Sequence, residues 1–475
     1  SDSLALAHKP LADLVASSRD IDRKFHSLKD QQWQVIKRGK LPGSGEWSHQ
    51  YANPGNTACS EDIRISGDLR LQWYGKPGPY RMFDRHSYTT APVYSSGRLF
   101  TLGEKILYAN DAYNGRLLWE KELPSMEPRV NLPRDCGYMV TDRDHVYLAV
   151  ENNCIKVNAR SGKTETEFNC PKIDDDHDYN WGYVATTDGL LFGSSVRSGN
   201  FYTEGRGPWY DDSGFNNAQD SHKVLSDCLF AVDLAGNSQA WKYNGVIINS
   251  TIAIGGDQIY FVENRNPKVL QDKSRRLSGG KEWMALHLVA LDVKTGKRVW
   301  DKDMQFEQRT PVFFSTYKDG TLIVLRSSSK SFDLRAIDAK SGKSLWNRDH
   351  GWENNHHGAH RRHPVIIGDV VYQQPHAYDL KTGKEKWSTS KVGVGGNCGT
   401  LSASSTMLFS RLSDYPGFID LGKGMNKENL VEITRPGCWI NIIPVGGMVL
   451  VPEAGSGCSC EYSIHASMGF LPRKN

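Results

Sequence analysis

Asp338-Ala-Lys-Ser-Gly-Lys-Ser-Leu-Trp346 is one of three copies of a phrase in which Gly follows Asp by four positions and Trp follows it by eight; the others occupy residues 292–300 and 379–387. The phrase predicts a strand that ends in Asp, a tight turn that requires Gly, and a second strand that carries a buried Trp. Looser copies begin at Asp111, Asn158 and Asp233. A unit that recurs every ~40–60 residues indicates a repeat array.

The stretches between the phrases have the composition of short strands. Gly320-Thr-Leu-Ile-Val324 and Gly368-Asp-Val-Val-Tyr372 begin at Gly turns and are rich in β-branched and aromatic residues. Each repeat then holds four antiparallel strands, which is one blade of a β-propeller. We predict an all-β fold, an eight-bladed β-propeller of four-stranded antiparallel blades, with seven blades as the alternative because the last repeat is degenerate. Residues 439–471 are expected to pair with Leu69–Trp73, which closes the ring and removes exposed edge strands.

The first 40 residues differ from the repeats. Leu4, Leu11 and Leu14, followed by Phe25 and Leu28, recur at helical spacing. We therefore predict a short N-terminal helical segment. Residues 1–45 would form this helical extension, and residues 46–475 would form the propeller domain.

Composition narrows the function and the compartment. The 58 Lys and Arg residues exceed the 54 Asp and Glu residues by only four, so we expect no nucleic-acid partner. No apolar run reaches the ~18 residues of a membrane span. The chain begins at Ser1, and we expect a periplasmic or extracellular protein whose signal peptide has been removed.

Nine cysteines are spread through the β-rich sequence, a usage that suits disulfides in an oxidising compartment. Cys136, Cys154 and Cys170 lie around one predicted blade, so we expect a disulfide within that group. A second set near the C terminus comprises Cys398, Cys438, Cys458 and Cys460. Two disulfides are favoured there over a zinc or copper site, because the Cys-x-Cys spacing is tighter than that of usual zinc ligands.

The densest group of candidate functional residues lies between residues 354 and 376 and contains five histidines. Propeller loops at one end of the blades converge on the central channel, and imidazole suits transition metals and proton transfer. We predict a divalent metal ion (Mn, Zn, Cu or Ca) in the channel. Its predicted ligands are His357, His360, His363, Gln374 and His376. The alternative is a polar loop held by hydrogen bonds.

A second candidate group, residues 80–88, precedes the first predicted blade and is expected to face the channel. His and Tyr could act there as base and acid, and Arg81 could bind a substrate carboxylate. The predicted catalytic residues of both groups are Arg85, His86, Tyr88, His360 and Arg361. A loop stabilised by Arg–Asp pairing is the alternative.

Three aromatic residues are predicted to stack on sugar rings. Trp209 and Tyr210 lie in a long insertion, residues 198–223, and such insertions are often binding loops. Trp181 follows the acidic stretch Asp174–Asp178, for which a solvated loop is favoured over a calcium site. Packing on the propeller surface is the alternative for the aromatic residues.

The Asp–Gly–Trp phrase resembles the pyrroloquinoline-quinone (PQQ) type repeat of quinoprotein alcohol dehydrogenases and of non-enzymatic outer-membrane assembly propellers. The resemblance covers residues 69–471 and implies the propeller fold. The pattern is also similar to that of uncharacterised secreted propellers of planctomycete-type bacteria, in which stretches like Arg435–Pro444 and Glu453–Cys460 recur. A PQQ-dependent dehydrogenase would use PQQ and calcium, but the chain has neither an adjacent Cys-Cys pair nor a CxxCH haem site, so PQQ is not expected.

The function predicted first is a glycan-active enzyme, such as a polysaccharide lyase on acidic sugars, with a poly- or oligosaccharide as partner. Abstraction of a proton beside a uronate carboxylate needs a base, an acid and a cation, and the two candidate groups supply these residue types. One alternative is a non-catalytic binding or scaffold propeller with a protein partner in the cell envelope. The other is a PQQ-dependent dehydrogenase.

Overall fold

The computed structural model describes residues 4–7, 21–28, 31–38, 40–76, 78, 80–81, 90–126, 136–200, 223–277, 283–304, 313–327, 331–351, 362–388, 400–412, 415–437, 439–452 and 466–473. These ranges contain one short α-helix, α1 (Pro267–Gln271), and a 3₁₀ turn at Asn249–Thr251. Within them, no helix is long and apolar enough to cross a membrane. Almost all of the remaining regular structure is β-strand.

Three antiparallel strands form a sheet near the N terminus, in the order β1 (Leu4–Ala7), β3 (Gln31–Arg38), β2 (Ile21–Leu28). The predicted helical segment is therefore wrong at Leu4–Ala7, Ile21–Leu28 and Gln31–Arg38, while residues 8–20 lie outside the described ranges. Phe25 and Leu28 recur at helical spacing, but antiparallel pairing with Gln31–Arg38 places them in a strand. The division of the chain at residue 45 into two domains stays a prediction.

Six antiparallel sheets of four strands each follow in the chain. Two are formed by β5 (Val93–Ser95), β6 (Arg98–Gly103), β7 (Ile106–Asp111) and β8 (Leu117–Glu122), and by β9 (Met139–Thr141), β10 (His145–Val150), β11 (Asn153–Asn158) and β12 (Thr164–Asn169). Two more are formed by β22 (Phe313–Lys318), β23 (Thr321–Ser327), β24 (Ser331–Asp338) and β25 (Ser344–Gly351), and by β26 (Val365–Ile367), β27 (Val370–Gln373), β28 (His376–Asp379) and β29 (Glu385–Ser388). The last two are formed by β30 (Ser402–Ala403), β31 (Met407–Leu412), β32 (Tyr415–Asp420) and β33 (Lys427–Asn429), and by β34 (Ile443–Val445), β35 (Met448–Val451), β36 (Ser467–Pro472) and β4 (Leu69–Gly75).

A nine-stranded sheet between β12 and β22 contains two further four-stranded units. Its strands are β13 (Tyr179–Thr187), β14 (Leu190–Arg197), β15 (Lys223–Asp233) and β16 (Ser238–Ile248), then β17 (Ala253–Gly255), β18 (Gln258–Asn264), β20 (Leu286–Asp292) and β21 (Arg298–Met304), with β19 (Arg276–Leu277) beside β15. One residue pair, Ile247 with Glu263, joins the two units. The predicted all-β propeller of four-stranded antiparallel sheets is confirmed. The number of blades stays a prediction. The nine-stranded sheet can be counted as two blades, which gives eight in total, or as one, which gives seven.

One sheet combines strands from both ends of the propeller. The outer strand β4 pairs antiparallel with β36, so that Leu69 lies opposite Pro472 and Gly75 lies opposite Ser467. The pairing occupies an edge of β36 that an open array would leave exposed.

The Asp–Gly–Trp phrase joins neighbouring four-stranded units at several places in the ring. Trp346 donates its indole N–H to the carbonyl of Leu380 in the following sheet at 3.0 Å, and Trp300 donates to Ala339 at 2.9 Å. Gly383 has a φ of +64°, and a Cβ at this position would lie 2.5 Å from the ring of Trp346. Glycine is therefore required both by the backbone conformation and by the neighbouring indole. The same hydrogen bond recurs at Trp73, Trp119 and Trp241.

No disulfide joins the five cysteines that the structure describes, which are the thiols Cys59, Cys136, Cys154, Cys170 and Cys228. The expected disulfide among Cys136, Cys154 and Cys170 is wrong. Cys136 and Cys154 are buried among apolar side chains, where cysteine packs as a small hydrophobic residue. Burial also raises the pKa of the Cys59 and Cys228 thiols to about 12. The C-terminal set, Cys398, Cys438, Cys458 and Cys460, lies outside the described residues.

Candidate functional site

Residues 43–65, here called the channel segment, run along the centre of the propeller. First strands of neighbouring sheets contact each other there, including β5 with β9 and β30 with β34. The channel segment accepts a backbone N–H from each four-stranded unit in chain order, beginning with Tyr94 N–H to Trp47 O at 2.7 Å. The eight donors are Tyr94, Thr141, Thr186, Ile254, Tyr317, Ile366, Ala403 and Gly447.

Asp62 joins the two ends of the channel segment to each other and to the last sheet. Its side chain is fully buried. The carboxylate accepts backbone N–H groups from Gly45 at 2.9 Å, Arg64 at 2.8 Å and Gly447 at 2.7 Å. A buried carboxylate with three backbone donors is well compensated for the loss of water.

The channel segment borders two cavities in the described part of the channel. Trp47 and Ala58 are completely buried, and Tyr51 is nearly so. A cavity of about 20 Å³ lies beside Gln50 and Tyr51 and is lined on its other side by Tyr183; such a volume holds about one water molecule. A larger cavity of about 380 Å³ is lined by Asn53 and Thr57 of the segment and by Tyr317.

Two histidines are buried against the channel segment. The ring of His363 stacks on Tyr51 with centroids 3.7 Å apart, and its Nδ1 donates to the carbonyl oxygen of Pro364 at 2.6 Å. Nε2 of His49, within the segment, accepts the N–H of Thr186 at 3.1 Å. Burial lowers the pKa of each imidazole to about 3, so both rings are neutral at pH 7.

A second pair of histidines lies farther from the channel, between neighbouring sheets. His350 ends β25 and is 9% exposed, His376 begins β28, and their ring centroids are 4.4 Å apart. Tyr378 Oη lies 2.9 Å from His350 Nδ1, and Glu385 Oε2 lies 2.7 Å from His376 Nδ1. Burial and, to a smaller degree, the neighbouring His376 lower the pKa of His350 to about 4. Sequence analysis did not single out His350, although it directly precedes the histidine-rich stretch.

A buried ion-pair network also escaped the sequence analysis. Asp227 binds Arg197 at 2.6 Å and Arg275 at 2.5 Å through the Nε atoms. The hydroxyl oxygen of Tyr179 lies 2.9 Å from Asp174 and 3.2 Å from Asp227, and its one proton can be donated to either carboxylate. Asp174 therefore supports the fold instead of belonging to a purely solvated loop. The network joins residues from distant parts of the chain, and no spacing pattern indicates it.

The predicted metal ligands that the structure describes do not come together. His363 stacks in the channel, whereas His376 binds Glu385 two strands farther out, roughly 10 Å away by strand spacing. Gln374 is buried in the turn between β27 and β28. A single metal site that contains His363, Gln374 and His376 is therefore wrong. Among the described residues, no group of three or more His, Cys, Asp or Glu side chains could hold a metal ion.

Two predicted substrate-binding residues have structural contacts instead. Trp181 is completely buried, packs on Phe230 at a centroid distance of 4.8 Å and donates its N–H to the carbonyl of Tyr183 at 3.0 Å. The prediction that Trp181 stacks on sugars is wrong, because its position in β13 directs it into the core. Arg81 binds Glu122 at 2.9 Å. The predicted orientation of Arg81 towards the channel is also wrong, since Glu122 belongs to the outermost strand of its sheet.

The other candidate residues lie outside the described part of the chain and stay predictions. They are Arg85, His86, Tyr88, Trp209, Tyr210, His357, His360 and Arg361.

Comparison with known proteins gives a family match for part of the chain. Residues 285–412, which contain the three tight copies of the phrase, match the PQQ-type repeat family described as outer membrane protein assembly factor BamB. No curated protein matches the sequence.

Solved structures show a similar fold over most of the chain. A europium-containing methanol dehydrogenase is 11% identical, with 86% of this chain and 89% of that chain covered and a TM-score of 0.56. Quinohemoprotein alcohol dehydrogenase from Comamonas testosteroni is 13% identical, with coverages of 90% and 82% and a TM-score of 0.55. The Dos1 propeller is 10% identical, with coverages of 85% and 95% and a TM-score of 0.50. At such identities the likeness concerns the fold alone.

Proposed function

We propose that this protein is a non-catalytic binding propeller with a protein partner in the cell envelope. Residues 285–412 match the PQQ-type repeat family, and the described chain has a propeller fold. A periplasmic or extracellular location is part of the proposal. We also propose that the protein is related to the secreted propellers of planctomycete-type bacteria. The description of the matching family as an outer-membrane assembly factor supports a protein partner over a small substrate.

The channel segment is the observation that carries the proposal. Propeller ligands commonly bind where the blades converge on the channel. In the described part of this channel, the chain itself occupies that space and uses its carbonyl groups to accept a backbone N–H from most of the units. The cavity of about 20 Å³ beside Gln50 and Tyr51 is too small for a sugar ring, whereas the cavity of about 380 Å³ beside Asn53 and Thr57 has room for a small ligand.

PQQ does not fit the cavity beside Gln50 and Tyr51. A tricyclic quinone with three carboxylates needs a slot that is much larger than about 20 Å³. The described residues also offer no group of three acidic or histidine ligands for the accompanying metal ion. We therefore derive no chemistry through PQQ.

The described residues give the glycan-active enzyme less support than the binding propeller. Trp181 is in the core, Arg81 is paired with Glu122, and His363 is stacked on Tyr51. Trp181 and His363 are buried, and Arg81 already has a carboxylate partner. Polysaccharide turnover by the remaining candidates is the alternative that the experiment has to test.

Exposed apolar side chains on two neighbouring outer strands offer a surface for the partner. Tyr74 of β4 is 70% exposed, and Leu117 and Leu118 of β8 are 44% and 42% exposed. The two strands are adjacent, because Gly115 before β8 lies against the ring of Trp73 in β4. Exposed apolar patches mark protein-binding surfaces, and an outer strand can also pair with a strand of a partner.

The test compares four versions of the full chain as baits for the envelope fraction of the source organism. We expect wild type and His376→Ala to recover one protein in near-stoichiometric amount, and Tyr74→Arg combined with Leu118→Arg to lose it. Val299→Arg is the matched control, because Val299 is 47% exposed on the outer strand β21 of another unit.

The same preparations are assayed for turnover of acidic polysaccharides, and of alcohols with added PQQ and Ca²⁺. Turnover in either assay would overturn the proposal. Failure to recover a partner, or recovery that the Tyr74 and Leu118 substitutions leave unchanged, would also overturn it.

A further inference from the structure

The His350–His376 pair leaves one nitrogen of each imidazole uncommitted. The Nδ1 atoms bind Tyr378 at 2.9 Å and Glu385 at 2.7 Å. Nε2 of His350 is buried without a hydrogen-bond partner. Nε2 of His376 makes no hydrogen bond to any residue in the described ranges. His145 differs, because its Nδ1 faces Asp142 at 3.4 Å and its Nε2 faces Glu165 at 3.1 Å. His363 also has a buried Nε2 without a partner, but it stacks on Tyr51 in the channel with no second imidazole from the described residues beside it.

This arrangement is typical of histidines that bind metals. A carboxylate or another polar group on Nδ1 fixes the tautomer and the ring orientation, which leaves the Nε2 lone pair for the ion. Both rings sit on strands of packed sheets, which hold ligands more accurately than loops do. The side chain of His376 is 21% exposed, so an ion can reach the pair from solvent.

We propose that His350 and His376 bind a late first-row divalent metal ion through their Nε2 atoms, with Cu²⁺ bound more tightly than Zn²⁺. Water completes the coordination, since the pair supplies two protein ligands. Glu385 and Tyr378 are positioning residues that orient the rings. In this site His376 acts with His350 rather than with His363 and Gln374.

Backbone groups of Gln373 and Gln374 also lie near the His350 ring, so the metal ion has to compete with them for this histidine.

The test is calorimetric titration of the metal-free full chain with Cu²⁺ and with Zn²⁺, together with electron paramagnetic resonance of the Cu²⁺ form. We expect His350→Ala and His376→Ala each to lose one equivalent of bound Cu²⁺ and the imidazole nitrogen couplings of that equivalent. Glu385→Gln should keep the site but weaken its affinity by about 10–100-fold. His145→Ala is the matched control and should change nothing, because its side chain is equally exposed at 22% but both nitrogens face carboxylates.

The number of Cu²⁺ ions bound per chain, compared between wild type and each variant, distinguishes this site from copper bound to histidines elsewhere in the chain. Unchanged stoichiometry and affinity in both His350→Ala and His376→Ala would overturn the proposal, and so would an equal loss in His145→Ala. Circular dichroism checks folding of each variant. If His350→Ala does not fold, His376→Ala and Glu385→Gln decide the matter, since both side chains are partly exposed.

Discussion

The sheets of this propeller are joined at two radii by contacts of different kinds. On the outside, the Asp–Gly–Trp turn repeats one contact, in which a Trp of one sheet packs under the Gly turn of the next. On the inside, the channel segment is a single stretch whose successive residues meet the four-stranded units one after another. Loss of an outer contact removes one copy of several, whereas loss of an inner contact removes something that no other residue replaces. Substitutions on the two sides should therefore differ in their cost.

Asp62→Ala tests the inner side and has the largest expected effect. The substitution removes the carboxylate that accepts the N–H groups of Gly45, Arg64 and Gly447. A buried donor without an acceptor costs about 1–3 kcal/mol, so we expect the free energy of unfolding to fall by about 4 kcal/mol. Urea unfolding measures the change, with Asp68→Ala as control because its side chain is 66% exposed. If Asp62→Ala lowers the free energy of unfolding no more than Asp68→Ala does, the Asp62 carboxylate does not stabilise the contact between the channel segment and the last sheet.

Gly383→Ala tests the outer side. The new Cβ would lie 2.5 Å from the Trp346 ring at a φ of +64°. Left-handed strain costs about 1–2 kcal/mol and overpacking about 1–3 kcal/mol, so we expect a loss of about 3 kcal/mol. Gly368→Ala is the matched control, with a φ of +54° and no heavy atom within 4 Å of the new Cβ. Equal losses in the two variants would mean that the indole contact contributes nothing.

Acidification tests the inner side separately from the outer turns. Burial lowers the pKa of His49 and His363 from 6.5 to about 3. Below pH 6.5 the unfolded chain therefore binds protons that the folded chain does not, and the free energy of unfolding falls as the pH decreases towards 3. The expected loss between pH 7 and pH 5 is roughly 2 kcal/mol for each histidine. His363→Phe keeps an aromatic ring against Tyr51, so urea unfolding at both pH values should show a smaller pH dependence than wild type; an unchanged dependence would contradict the prediction.

Trp346→Phe has the smallest expected effect. It removes the indole N–H that donates to the carbonyl of Leu380 at 3.0 Å. A neutral hydrogen bond contributes about 0.5–1.5 kcal/mol, so we expect the free energy of unfolding to fall by about 1 kcal/mol. Trp387→Phe is the comparison, because this indole is only partly buried and donates to no described residue. If both substitutions cost the same, the outer hydrogen bond does not stabilise the contact between sheets.

The fold was predictable from the sequence where contacts repeat. The spacing of Asp338, Gly342 and Trp346 indicated the turn and the buried indole, because the same local geometry recurs in other sheets. The N-terminal sheet was not predictable in this way. Its apolar residues recur at helical spacing, and the pairing of β2 with β3 places them in strands instead.

The candidate sites were less predictable than the fold. The histidines between residues 354 and 376 were predicted to form a site because they are close together in the sequence. Consecutive strands of one sheet lie at increasing distances from the channel, so residues that are close in the sequence can be far apart in the structure. His363 reaches Tyr51 in the channel, while His376 meets His350 from the adjacent sheet. Trp181 resembled a surface residue because it follows an acidic stretch, but strand alternation directs it inward.

By itself, the sequence determined the repeat, the four-stranded unit and the positions that need Gly and Trp, because these depend on local geometry and on contacts that recur at a fixed spacing. Only the tertiary structure decided that residues 43–65 fill the channel, that Asp62 connects them to the last sheet, and that His350 lies beside His376. Each of these contacts occurs once and joins distant parts of the chain. A single sequence carries no periodic signal for such a contact, and it forms only when the packed sheets bring its partners together.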